Sequence, residues 1–150
     1  MKKFFAKTVI LFFILIAIGT VSAAVTVDVS TDLDSYKPGD KITITATVYD
    51  GSNPVNNKTV TVSLKFAATN VSYWNSFGNT DSSGTVTWND ATVGEKWYNG
   101  TYKITARTTI NNKAYYGSTT ITVDNPSHIY VKPKPKFPST RSADSTIEIR

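Results

Sequence analysis

Hydrophobic and polar positions alternate with a period of two through most of the chain, the repeat of a β-strand with one buried and one solvated face. Val25, Val27 and Val29 alternate with Thr26, Asp28 and Ser30; Ile42, Ile44, Ala46 and Val48 alternate with Thr43, Thr45, Thr47 and Tyr49. Val60, Val62, Leu64 and Phe66 continue the pattern, Val86 and Trp88 flank Thr87, and Tyr102, Ile104 and Ala106 alternate with Lys103, Thr105 and Arg107. Thr119, Ile121 and Val123 close the series. The outward positions are largely Thr, whose β-branched side chain suits a solvated pleat. Clusters such as Lys37-Pro38-Gly39-Asp40, Asp50-Gly51-Ser52-Asn53-Pro54, Thr80-Asp81-Ser82-Ser83-Gly84 and Asn111-Asn112 separate the runs with turn residues. The spacing predicts an all-β domain over residues 24–125, a two-sheet sandwich of about seven strands. A closed barrel is the alternative, because spacing alone does not fix closure. Trp88 is expected in the core as the bulky filler of that sandwich.

The two ends of the chain break the pattern. Lys2, Lys3 and Lys7 precede an unbroken apolar run over residues 9–18, and Val21-Ser22-Ala23 then offers small residues. That order is a secretory signal peptide, with cleavage expected after Ala23. The run is about half of what a spanning helix needs, so a membrane is expected to matter only if the signal stays uncleaved. No Cys follows the run, which excludes a lipoprotein anchor there. Residues 126–150 form a tail: Lys132-Pro133-Lys134-Pro135-Lys136-Phe137-Pro138 is basic, proline-rich and extended. Alternation returns at its end, where Ile147 and Ile149 share one face of a short segment suited to adding a strand to a neighbour's sheet.

Charge and composition then narrow the chemistry. Removing Lys2, Lys3 and Lys7 from the formal balance of +5 leaves +2. Residues 24–125 carry eight Lys/Arg against nine Asp/Glu, so the basic character sits in the leader and tail. A basic patch of the kind nucleic-acid binding requires is not expected in the body. With no Cys and a single His, His128, neither a Cys–His pair nor a convincing Ser–His–Asp set can be assembled. Asp28, Asp32 and Asp34 match no calcium-loop spacing, so no metal or other cofactor is implied. The reading is of a non-enzymatic, exported domain stabilised by packing and strand pairing without disulfides.

Four motifs resemble a known group. Ser35-Tyr36-Lys37-Pro38-Gly39-Asp40, Asp50-Gly51-Ser52-Asn53-Pro54-Val55, Thr80-Asp81-Ser82-Ser83-Gly84 and Asn99-Gly100-Thr101-Tyr102 occur in the order seen in macroglobulin-type and bacterial immunoglobulin-like domains. The second carries one extra residue, and the thioester chemistry of complement-like relatives would need a Cys that this chain lacks. The resemblance covers about residues 25–124. It implies an immunoglobulin-like Greek-key sandwich at the cell surface, acting as spacer, adhesive module or filament part. Tyr102 stands where the tyrosine corner of such sandwiches would fall.

The candidate contacts are aromatic. Tyr73, Trp74 and Phe77 are expected in a polar connection, as are Trp97 and Tyr98, and Tyr115-Tyr116 near a hairpin. Exposed, such rings would stack on sugars or anchor a protein partner; the plainer reading is that they cap the open ends of the sandwich. Asn57, Asn70 and Asn99 head N-glycosylation sequons, although Asn favours turns in any case. The expected partner is a cell-surface protein or polysaccharide, or further copies of the chain.

Overall fold

The computed structural model describes residues 24–135; the expected signal peptide and the Ile147/Ile149 segment lie outside the described residues. Within them the chain is all-β, with strands β1 (Val25–Thr31), β2 (Ser35–Tyr36), β3 (Lys41–Asp50), β4 (Asn53–Pro54), β5 (Thr59–Phe66), β6 (Ser72–Asn79), β7 (Thr85–Thr92), β8 (Gly100–Ile110) and β9 (Lys113–Val123). Two of these are two-residue bridges, so seven carry the architecture.

One sheet is built on β3, with β1 along one edge and β7 and the short β4 along the other. The second runs β2-β9-β8-β5-β6. Chain neighbours β4 and β5 lie in different sheets, as do β6 and β7, which is the crossing-over of a Greek-key sandwich. Ile42, Ile44, Ala46 and Val48 of β3 pack with Leu64 of β5, Ile104 and Ala106 of β8 and Ile121 of β9 in one buried apolar core. Trp88 is in that core.

Local chemistry fixes the crossings. Between β1 and β2 the chain passes from one sheet to the other, and Asp32 pins it: its Oδ1 accepts from the Thr43 amide at 2.8 Å and from the Tyr36 hydroxyl at 2.6 Å. Tyr36 is buried and pairs in parallel with Val123. Asn111 and Asn112 both take positive φ (50° and 61°), the requirement of a two-residue type I′ hairpin, and they join β8 to β9. Tyr102 is a tyrosine corner, its hydroxyl donating to the Tyr98 carbonyl at 3.0 Å.

The two sheets close on each other at both sides without sharing a ladder among the described residues, so the barrel alternative does not hold. On one side Gly117 of β9 lies so near the Val27 carbonyl of β1 that a Cβ there would sit 2.0 Å from the oxygen. On the other, Gly78 of β6 lies against Val86 and Trp88 of β7. Each edge is narrow because a glycine lets it be.

Candidate functional site

The structure divides the candidate aromatics into an interior set and a surface pair. Trp97 and Tyr73 pack on Tyr102 with ring centroids 5.3 and 5.2 Å away. Phe66 lies against Tyr98 and Tyr102, and Tyr130 closes over both Phe66 and Tyr98. These rings form an end cap of the sandwich. Burial raises the Tyr73 and Tyr102 hydroxyls above their ordinary pKa, and burial with the Asp32 hydrogen bond pushes Tyr36 up to about 12. Trp74 is half-buried against the core, and Tyr115 is half-buried with the Lys113 ammonium 5.3 Å from its ring centre.

The cap also holds the segment after β9. The Asn99 amide donates to the His128 carbonyl, and Asn99 Oδ1 accepts from the Asn125 amide. The Asn125 side chain donates to the carbonyls of Glu95 and Trp97, and the His128 ring stacks on Tyr98 at 4.7 Å. The chain therefore stays on the sandwich as far as Tyr130, and His128 is a packing residue. Of the three sequons, Asn99 is half-buried in this network, while Asn57 and Asn70 are exposed at positive φ in turns.

Tyr73, Trp74 and Phe77 lie on strand β6, which corrects their placement in a polar connection. The strand was hidden because its inward positions read Trp74, Ser76, Gly78, and Gly78 is small only because β7 presses on it. A β-bulge opposite Leu64 and Lys65 further breaks the alternation and lets Tyr73 and Trp74 both turn inward.

Phe77 and Tyr116 remain outside, 74% and 63% exposed, on the outer face of the five-stranded sheet. Register puts them in one row: Phe77 opposes Thr61, Thr61 opposes Arg107, and Arg107 opposes Tyr116. Beside that row run Asn75, Ser63, Thr105 and Ser118, and beyond it Lys65 opposes Lys103. This face forms an open groove of about 770 Å³. Asn70 borders it, and Asn57 borders a smaller recess that shares Thr59, Thr61 and Arg107 with it.

Charge is segregated to the sheet that carries this face. Strands β5, β6, β8 and β9 contain Lys65, Lys103, Arg107 and Lys113 and no Asp or Glu. The rest of residues 24–125 carries four Lys against all nine acids. The overall balance of the body conceals this, so Lys65, Lys103 and Arg107 were not among the predicted site residues. Their signal was present as outward cations on two acid-free strands. Among the described residues no group of three His, Cys, Asp or Glu side chains is placed to hold a metal ion. Asp32 and Asp81 are both held below the ordinary carboxylate range by hydrogen bonds, from the Tyr36 hydroxyl first for Asp32 and from Ser83 for Asp81.

No protein-family model matches the chain, and no curated protein sequence does. Among solved structures it is similar to the superoxide reductase (neelaredoxin) of Ignicoccus hospitalis at TM-score 0.49 and 9% identity, over 66% of this chain and 80% of that one. It is also similar to the sporulation control protein Spo0M of Bacillus subtilis (TM-score 0.40, 16% identity, 67% and 49% covered). A conjugative transposon lipoprotein of Bacteroides eggerthii scores 0.37 at 11% identity, over 65% and 95%. At such distances no activity or partner passes from these proteins to this chain.

Proposed function

We propose that this chain is an exported, immunoglobulin-like adhesive module without catalytic activity, and that it binds its partner on the outer face of the five-stranded sheet. The observation that carries the reading is the row Phe77–Thr61–Arg107–Tyr116, in which two large exposed rings flank a polar centre on a rigid sheet. Exposed aromatics held by strand pairing offer contact area at little entropic cost, which suits recognition. The interior aromatics are occupied as packing, which leaves this pair as the contact residues. The basic, apolar and small order of residues 1–23 supports export.

The test is cosedimentation of the mature protein, residues 24–150, with envelope material from the cells that make it. Wild type is compared with the double variant Phe77→Ala/Tyr116→Ala. Both rings are solvent-facing, so the variant is expected to keep its melting temperature and lose binding. Undiminished binding by a folded double variant would sink this assignment of the face.

A further inference from the structure

We propose that the groove on the five-stranded sheet takes an acidic polysaccharide, with sugar rings on Phe77 and Tyr116 and carboxylates on Arg107, Lys103 and Lys65. The inference rests on the adhesive reading above and adds the chemistry of the partner.

Three observations converge. The first is spacing. Phe77 and Tyr116 are separated by three interstrand steps, roughly 14 Å at the usual strand separation, so one short stretch of a linear polymer crossing the strands meets both rings. The second is the surface between them. Thr61, Ser63 and Thr105 supply hydroxyls on the intervening strands, Asn75 adds an amide on β6 beside Phe77, and all four line the groove. Such groups donate to and accept from sugar hydroxyls. A protein-binding patch would instead concentrate apolar side chains at its centre.

The third is charge. Every charged side chain lining the groove is cationic: Lys65, Lys103 and Arg107. Lys65 and Lys103 stand directly opposite on neighbouring strands, an arrangement that like charges disfavour. No acid on β5, β6, β8 or β9 offsets them. A carboxylate seated between them removes that repulsion, and the Arg107 fork can grip a second carboxylate through two parallel hydrogen bonds. Single-stranded nucleic acid would use the same charge but needs a run of stacking platforms along a basic channel. Here the two rings stand at opposite margins.

The experiment is calorimetric titration of the mature protein with polygalacturonate oligosaccharides and with the fully methyl-esterified form of the same backbone. The acid is expected to bind at least about tenfold tighter than the ester, the equivalent of one charge-assisted contact, and to weaken as salt rises. Arg107→Gln/Lys103→Gln is expected to erase that preference without lowering the melting temperature. Phe77→Ala/Tyr116→Ala should weaken both ligands. Equal affinity for acid and ester overturns the acidic partner and leaves the adhesive face standing. No binding of either, with envelope binding intact, overturns the polysaccharide assignment alone. Loss of envelope binding as well removes the adhesive reading. Oligo(dT) bound as tightly as polygalacturonate also overturns the proposal, because the face would then select only for negative charge.

Discussion

The two edge glycines differ in what faces them, and that difference sets what each tolerates. A Cβ on Gly117 would meet the Val27 carbonyl oxygen at 2.0 Å, and a backbone atom cannot step aside without parting β1 from β9. A Cβ on Gly78 would meet Val86 Cγ2 at 2.8 Å and the Trp88 indole at 3.4 Å, both side-chain contacts that can shift by tenths of an ångström. Overpacking costs about 1–3 kcal/mol and more when backbone must move, while Gly→Ala recovers about 0.4–1 kcal/mol by restricting the unfolded chain. Gly117→Ala is therefore expected to destabilise by about 3 kcal/mol or more, and Gly78→Ala by about 1 kcal/mol. Ser118→Ala, on the exposed neighbour of Gly117, should stay within about 0.5 kcal/mol. Urea unfolding of the three variants gives the order. If Gly117→Ala proved as mild as Ser118→Ala, the close approach of the sheets at that edge would be wrong. At the Gly78 edge, Trp88 Nε1 is buried with no hydrogen-bond partner among the described residues.

At the scale of the element, β8 shows how one side chain joins a strand to its loop. Tyr102 opens the strand fully buried, and its hydroxyl reaches back to the Tyr98 carbonyl. Tyr102→Phe keeps the ring packing and strands that carbonyl, at a cost of about 1–2 kcal/mol. The fall in melting temperature should come with unchanged near-ultraviolet dichroism from the cap. An unshifted melting temperature would reduce the corner to a strand Tyr. The corner was half legible in Asn99-Gly100-Thr101-Tyr102: a turn pair before an alternating run put Tyr102 at the corner position, but a plain strand Tyr fitted as well until its hydroxyl was placed on Tyr98. The seven long strands except β6 were legible, since each buries one face and alternates accordingly. Strand β6 was illegible for a tertiary reason: its interior Gly78 and its bulge are answers to β7 and β5, which sequence spacing does not reveal. The groove was half legible. Phe77 and Tyr116 were two of the seven candidate aromatics, and nothing in the sequence separated them from the five that pack inward. Arg107 did not stand out, because its place between Phe77 and Tyr116 depends on β5 pairing with β8 from 46 residues away, the separation of Thr61 and Arg107.

Across the whole molecule, the same hydrogen bonds that order the crossings set the pH range in which the sandwich is stable. Asp32 accepts from Tyr36 and Thr43, and Asp81 accepts from the Ser83 amide and hydroxyl and the Thr85 amide. Both carboxyls have folded-state pKa values below the ordinary 3.8. A depressed carboxyl contributes stability that is present above its unfolded pKa and is lost as pH falls through the folded one. The acid limb therefore begins near pH 4 and steepens below it. Tyr36 acts at the other end. Its pKa is raised from 10.0 to about 12, so its contribution is complete below pH 10 and disappears as pH climbs towards 12. Buried Tyr102 shifts in the same direction. A plateau between about pH 5 and 9 is expected, and tyrosinate absorbance should rise in two stages, with the second coinciding with unfolding. Asp32→Asn/Asp81→Asn separates charge from geometry, since an amide oxygen still accepts the same bonds. Its stability is expected to lie below wild type at pH 7 and to converge with it as pH falls through the depressed folded-state pKa values. If the wild-type advantage persisted unchanged into acid, the two carboxylates would act only as hydrogen-bond acceptors, and the acid limb would have to come from other groups.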